Sequence, residues 1–405
     1  MLAHKAFWKA GHRPTLLAAF LYYDLAFMVW VLLGSLAVQI AQDLHLSHAQ
    51  QGLVVATPVL AGAILRMLMG ILVDHIGPKK AGALGQLIVM VALLVAWYFG
   101  IHSYHQTLLL GAFLGFAGAS FAVALPLASR WYPPEHQGKA LGIAGAGNSG
   151  TALVALLAPS LAMAVGWNTV FGWAVLPLAV VFVIYLMVAK DAPESPPRKS
   201  LSDYIKVMKD RDAWWFMFFY SVTFGGFVGL TSSLNIYFNI QFGLDAKMSG
   251  IFTAACVAAG SMARPLGGSV ADRVGGIRSL MVIYGVAAFF LTLASFGLPQ
   301  AWMALVVFVC AMIALGMGNG AVFQLVPQRF RKEIGVMTGL VGMTGGMGGF
   351  YLSSSLGFSE QLTGSYRLGL LVFAALALLA LAGLSGVKKR WRTTWGAAHL
   401  TVAKI

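Results

Sequence analysis

Two arginines, Arg66 and Arg264, lie inside long apolar runs, and each is followed at the same spacing by a glycine and an aspartate: Arg66, Gly70, Asp74 and Arg264, Gly268, Asp272. Eight residues separate each arginine from its aspartate, which on a helix is roughly 12 Å of depth. A guanidinium that far into hydrocarbon costs about 2.5–3.5 kcal/mol on insertion scales, so it normally faces a cavity or a partner. Two such cations facing one another in low dielectric require an anion between them. The guanidinium fork donates parallel hydrogen bonds that match a small planar oxyanion, a geometry an ammonium does not supply. The plainer alternative has each arginine snorkel to the nearer surface or bind backbone carbonyls, but it gives no cause for duplication at matched depth.

Few other ionisable groups share this depth. Of the thirteen acidic residues only Asp24 falls within an apolar run, and all nine histidines fall in loops or tails. Asp24 is therefore a candidate proton site; its plainer roles are a structural hydrogen bond to a neighbouring helix or a partial pair with an arginine. No run holds a carboxylate pair or a metal-ligand cluster, so no enzyme centre, metal or cofactor is expected. Cys256 and Cys310 both sit in apolar runs, where they read as small packing residues.

These residues are carried by a chain that water cannot solvate. It is 59% hydrophobic and 10% charged, with a mean hydropathy of +0.80. Crossing a bilayer takes about 20 apolar residues, and twelve stretches qualify. They run approximately over 15–40, 50–73, 80–100, 106–130, 138–165, 169–190, 213–240, 248–271, 278–297, 301–327, 333–358 and 365–387. The expected class is an all-α membrane protein of twelve transmembrane helices in two pseudo-symmetric six-helix bundles. An N-terminal bundle spans 1–190, a central loop 191–212, and a C-terminal bundle with a basic tail 213–405. The first run is too long for a signal peptide and reads as retained.

The net charge of +14 could suggest nucleic acid, but its distribution points elsewhere. Of the 27 Lys and Arg, all fall on the side carrying both termini except Arg66 and Arg264 in the spans and Lys247 and Arg367 on the far side. The positive-inside rule makes that side cytoplasmic, so the basicity reports orientation and contact with anionic lipid in a multi-pass inner-membrane protein. No nucleic-acid partner is expected and no oligomer is required. In the central loop, Leu201, Tyr204, Ile205 and Met208 recur at helical spacing opposite Lys206, Lys209 and Asp210, which suggests an amphipathic helix on the cytoplasmic leaflet. Lys388, Lys389, Arg390, Trp391, Arg392 and Trp395 read as an interfacial anchor.

The chain also repeats itself. The two arginines are 198 residues apart; Gly138-x3-Gly142 recurs as Gly335-x3-Gly339; Gly118-Ala119-Ser120-Phe121 recurs as Gly320-Ala321-Val322-Phe323. Internal repeats around a central site are a recurring transporter design. The tails of the Arg repeats, GILVDHIGPKK from Gly70 and GSVADRVGGIR from Gly268, resemble the loop signature of the major facilitator superfamily, which implies the two-bundle fold.

Two glycine-rich stretches follow: GIAGAGNSG (Gly142, Gly145, Gly147, Gly150) and GLVGMTGGMGG (Gly339, Gly342, Gly345, Gly346, Gly348, Gly349). No strand precedes either, so neither is a phosphate loop; small residues at helical spacing let membrane helices approach closely and slide. Taken with the arginines, they resemble the paired signatures of the nitrate/nitrite porter family in its fifth and eleventh helices. The resemblance covers nearly the whole chain. It implies that Arg66 and Arg264 bind the anion, that Phe121 and Phe323 stack on either side of it, that Tyr220 donates its hydroxyl, and that Asn148 is the signature asparagine. The expected substrates are nitrate and nitrite, carried by alternating access, with proton-linked uptake favoured over nitrate/nitrite exchange. A carrier of another small anion such as formate, and an anion sensor that does not transport, remain open at this point.

Overall fold

The computed structural model describes residues 7–133, 140, 141, 143–193, 201–330 and 333–396, except the side chain at position 201. Among the described residues, ten helices are long and apolar enough to cross a membrane. Two more complete the twelve: the first span, and the glycine-rich Ile334–Thr363. The first span is one path in three pieces, Arg13–Trp30, Leu32–Ser35 and Ala37–Asp43, interrupted at Val31 and Leu36.

Breaks and close contacts in these helices build the centre. The fourth span divides into Tyr104–Gly118 and Phe121–Ser129 through a tight turn. Ala122 N–H bonds to Ala119 O at 2.9 Å, one residue short of the α-helical register, so Gly118 O is released from the helix ladder. Beside this break the Trp30 indole is fully buried and donates to Pro58 O at 2.7 Å. It lies so close to Gly62 that a Cβ there would fall 2.8 Å from the indole nitrogen, and a Cβ on Gly118 would collide with the same ring. These two glycines are what admit a tryptophan to the middle of the N-terminal half.

The two halves meet along the second and eleventh spans, the fifth and eighth, and the first and seventh. On the side away from the Asp74 and Asp272 loops, Asn235 Nδ2 of the seventh span donates to Ser35 O of the first at 2.6 Å. Gly52 and Gly357 press backbone on backbone there. Nearer the centre a Cβ on Gly346 would sit 2.7 Å from Ala63 Cβ.

On the loop side, Asp74 pairs with Arg130 at 2.7 Å. Asp212, at the start of the seventh span, accepts from Arg329 Nε at 2.9 Å, from Arg390, and from Trp391 Nε1 at 2.7 Å, tying the ends of the seventh, tenth and twelfth spans together. Trp391 is thus a fully buried hydrogen-bonded core residue and not an interfacial anchor, because the buried Asp212 carboxylate needs its donor. The central helix forms over Leu201–Met208. Its buried side chains are Tyr204 and Val207, while Ile205 is exposed, so Tyr204 and Val207 turn to the protein and Ile205 away from it. Burial, and then the nearby Asp74, push the Tyr204 phenol up to about 12.

Candidate functional site

Arg66 and Arg264 come from opposite halves and are close enough to interact with each other and with the phenols of Tyr23 and Tyr220. Neither forms an ion pair with a carboxylate among the described residues.

Arg66 is 1% exposed. Its Nε donates to the released Gly118 O at 3.0 Å, and its Nη1 crosses to the other half to donate to Gly342 O at 2.6 Å. Four rings surround the guanidinium carbon, with centroids 5.0 Å (Phe224), 5.1 Å (Trp30), 5.2 Å (Phe121) and 5.9 Å (Phe27) away. Cation–π attraction in a desolvated place is worth about 2 kcal/mol or more, so this charge is stabilised at depth without snorkelling. Carbonyl binding, the plainer alternative, therefore accounts for part of Arg66. It does not account for Nη2, which is buried and has no hydrogen-bond partner among the described residues.

Arg264 is half-buried. Its Nη2 makes one long hydrogen bond, 3.4 Å, to Tyr220 Oη, and its Nη1 is buried without a partner among the described residues. Gly320 of the tenth span packs on the backbone at Arg264, where a Cβ would collide with Arg264 O. This contact gives the second Gly-Ala-x-Phe repeat its reason, since Phe323 is carried one turn further along the same helix.

Tyr220 is fully buried, with its ring stacked on Phe224 at 5.0 Å and edge-on to Phe323 at 5.0 Å. Phe121 and Phe323 face one another across the halves with centroids 6.1 Å apart and planes tilted by 57°. A planar ion sandwiched between parallel rings needs about 7 Å, two contact distances of about 3.5 Å. The two rings must therefore part by roughly 1 Å to take an anion between them. Asn148 lies in the short 3-10 turn Ala146–Ser149 and is 1% exposed, and neither its Oδ1 nor its Nδ2 has a partner among the described residues.

Asp24 lies just off this centre. Its Oδ1 accepts from Ser149 Oγ at 2.8 Å and from Gly150 N at 2.7 Å, so the carboxylate holds the fifth helix immediately after Asn148. It has no cationic partner among the described residues.

The signature glycines divide by what they touch. Gly142 lies outside the described residues. A Cβ on Gly147 would meet Tyr23 and Phe20 O, and one on Gly150 would collide with Asp24 O, whereas Gly145 has open space beside it. In the eleventh helix, Gly342 faces Phe121 and Arg66, Gly345 faces Tyr220 and Phe224, Gly348 meets Ser221 O, and Gly349 approaches Val59. Gly339 faces Tyr204, as does Gly70; Gly268 approaches Gly320 O, and Asp272 is exposed. The eleventh helix thus supplies the room into which the aromatic walls and Arg66 fit.

A twofold set of donors inside two related bundles is the arrangement of a carrier, and the comparisons agree. Residues 15–353 match the family model described as Major Facilitator Superfamily. The "Nitrite extrusion protein" of Bacillus subtilis is 35% identical over 357 residues, covering 87% of this chain and 88% of that one. This chain belongs to the nitrate/nitrite porter family of the major facilitator superfamily. The porter is also 33% identical over 371 residues to the "Probable nitrate transporter NarT" of Staphylococcus carnosus, covering 91% and 94% of the two chains. It is 29% identical over 421 residues to the "Probable nitrate/nitrite antiporter NarK1" of Thermus thermophilus, covering 95% and 90%. Among solved structures, a bacterial homologue of the human lysosomal transporter Spinster, inward-facing and occupied, superposes with a TM-score of 0.70 at 19% identity, covering 92% and 96%. That likeness concerns the fold. The porter is a multi-pass membrane transporter and not an enzyme.

Sequence reasoning had not singled out Trp30, Phe27 or Phe224 around Arg66, nor Tyr23. A signal for three of them was present: Tyr23-x3-Phe27 and Tyr220-x3-Phe224 are the same pattern 197 residues apart.

Proposed function

We propose that this porter carries nitrate, and nitrite, across the bacterial inner membrane by alternating access, with the anion held between Arg66 and Arg264. The observation that carries the reading is the pair of buried guanidinium nitrogens, Arg66 Nη2 and Arg264 Nη1, one from each half, with no acceptor among the described residues. Buried charged donors are stable only when paired, and a small planar oxyanion pairs with both. Relatives named for nitrate and nitrite over nearly the full length support that choice of anion. Phe121, Phe323, Tyr220 and Asn148 complete the site. Two cations without an anion repel, so closure of the bundles around the centre is favoured when the anion is bound.

Asp24 is the proton site in this reading. Protonation removes the charge that holds Ser149 and Gly150, and so loosens the turn that carries Asn148. Proton-linked uptake follows if that loosening accompanies anion entry. Exchange of nitrate for nitrite is the second reading, favoured by the relative named as an antiporter. The Lys and Arg distribution supports a cytoplasmic location for both termini.

Counterflow of labelled nitrate in proteoliposomes tests the whole reading, with and without internal nitrite and with an imposed pH gradient. Nitrate uptake is expected to alkalinise the medium, and this coupling is expected to weaken sharply in Asp24→Asn. Proton coupling that survives Asp24→Asn removes Asp24 from the mechanism, and a chain that moves no nitrate under any of these gradients removes the transport reading itself.

A further inference from the structure

We propose that Tyr23 binds the anion directly, as the counterpart of Tyr220, and grips it across the boundary between the two halves. The proposal rests on the anion reading above and adds to it a residue of the first span.

The repeat places it. Tyr23-x3-Phe27 and Tyr220-x3-Phe224 stand 197 residues apart, the same offset as the glycine pair Gly142 and Gly339. Their phenylalanines converge on one group, since both Phe27 and Phe224 lie over the Arg66 guanidinium. The tyrosine of one pair, Tyr220, already touches Arg264. By the same pseudo-symmetry Tyr23 belongs at the centre as well.

Its surroundings fix the ring and leave the hydroxyl proton without an acceptor. Tyr23 is fully buried, packed on Phe27 at 4.2 Å and on Phe121 at 6.1 Å. A Cβ on Gly147 would lie 2.7 Å from the ring, so the turn carrying Asn148 also rests against it. Two other buried phenols donate to carbonyls, Tyr185 to Pro78 O at 3.1 Å and Tyr284 to Phe219 O at 2.9 Å. The Arg264 guanidinium lies beside the Tyr23 oxygen and can only donate to it, so the hydroxyl proton of Tyr23 has no acceptor among the described residues. Leaving such a group unsatisfied costs about 1–3 kcal/mol, and a group of this kind in a native interior needs an explanation.

The charges nearest it supply one. Arg264 of the opposite half, which can donate to the Tyr23 oxygen, and Arg66 of its own half both lie near it. A phenol O–H cannot donate to a cation. Arg66 Nη2, Arg264 Nη1, Tyr23 Oη and Asn148 Nδ2 are four buried donors without acceptors of their own, and an oxyanion is the ligand class that satisfies several of them together. Because Tyr23 is on one half and Arg264 on the other, an anion held by both forms a bond that exists only while the halves are together. Tyr23 thus helps the loaded carrier close.

The test is Tyr23→Phe in the full chain, reconstituted and assayed by nitrate counterflow, with Arg264→Lys in parallel. The ring and its packing stay, so the thermal unfolding midpoint is expected to hold. The nitrate concentration for half-maximal counterflow is expected to rise roughly ten- to a hundredfold, the scale of one hydrogen bond to a charged group. Unchanged half-saturation in Tyr23→Phe overturns the proposal, and so does a lowered unfolding midpoint with unchanged half-saturation, which makes Tyr23 a packing residue. If Arg264→Lys weakens nitrate while Tyr23→Phe does not, only the role of Tyr23 falls. If neither variant changes nitrate handling, the anion site itself is misplaced.

Discussion

Arg66 and Arg264 occupy matched positions in the two halves, yet their surroundings differ. Arg66 is held on two carbonyls and enclosed by four rings. Arg264 is half-buried and, among the described residues, rests only against hydroxyls, that of Tyr220 at 3.4 Å and that of Tyr23 beside it. The sequence repeat therefore gave rise to two different parts, a fixed anchor in the N-terminal half and a loosely held partner in the C-terminal half. Contacts across the boundary run the same way, since Arg66 reaches Gly342 and Tyr23 faces Arg264. A carrier has to hold its anion and then release it, and in the site proposed above one rigid and one yielding cation would divide that work.

Conservative replacement of the two arginines is the sharpest way to break this contrast. Both Arg66→Lys and Arg264→Lys keep a charge and lose the fork, so each is expected to cost about 3 kcal/mol of nitrate affinity in counterflow. Only Arg66→Lys is expected also to lower the thermal unfolding midpoint, because its carbonyl bonds and ring cage are lost with it. Equal unfolding midpoints in the two variants contradict the anchor-and-partner picture. Wild-type affinity in either variant means the site lies elsewhere.

The two glycine signatures permit a gentler comparison. Gly345 lies against Tyr220, where a Cβ would be 2.7 Å from the ring, while Gly145 has open space. Gly345→Ala is expected to destabilise by about 1–3 kcal/mol through overpacking and to reduce transport, and Gly145→Ala to change neither by a measurable amount. Thermal melting with a transport assay checks both, and a damaging Gly145→Ala shows that this glycine is used in another state of the cycle.

The smallest effect is expected at Tyr204, which lies against Gly70 of one half and Gly339 of the other. Its phenol is pushed up to about 12 by burial and by Asp74, so the folded protein keeps the proton where an unfolded chain, near 10, releases it. Its contribution to stability is complete below pH about 10 and is lost as the pH rises towards about 12. Tyr204→Phe is expected to flatten the alkaline limb of a stability–pH profile and to leave it unaltered at neutral pH.

Much of this was legible because charge is scarce in the spans. Arg66, Arg264 and Asp24 stood out as exceptions to an apolar background, and duplication separated the arginines from chance. Phe27, Trp30 and Phe224 were not legible in the same way, since an aromatic residue in a span looks the same whether it packs on lipid, on protein or on a guanidinium. Trp391 was misread for a related reason: basic neighbours and a position near a helix end suggest an interface, whereas its hydrogen bond to Asp212 depends on a residue 179 positions away in sequence. The burial of Tyr204 and Val207 against the protein in the 201–208 helix was not legible, because Val207 is as apolar as Ile205. The break in the fourth helix has no proline at its turn, and nothing local announces it.

That break makes one oxygen atom a point of competition. Gly118 O can accept from the next turn of its own helix or from Arg66, and here the arginine holds it. Substitutions that straighten the fourth span would strengthen its secondary structure while dislodging the cation, so under the proposed role of Arg66 a more regular helix and anion binding would be opposed at this carbonyl.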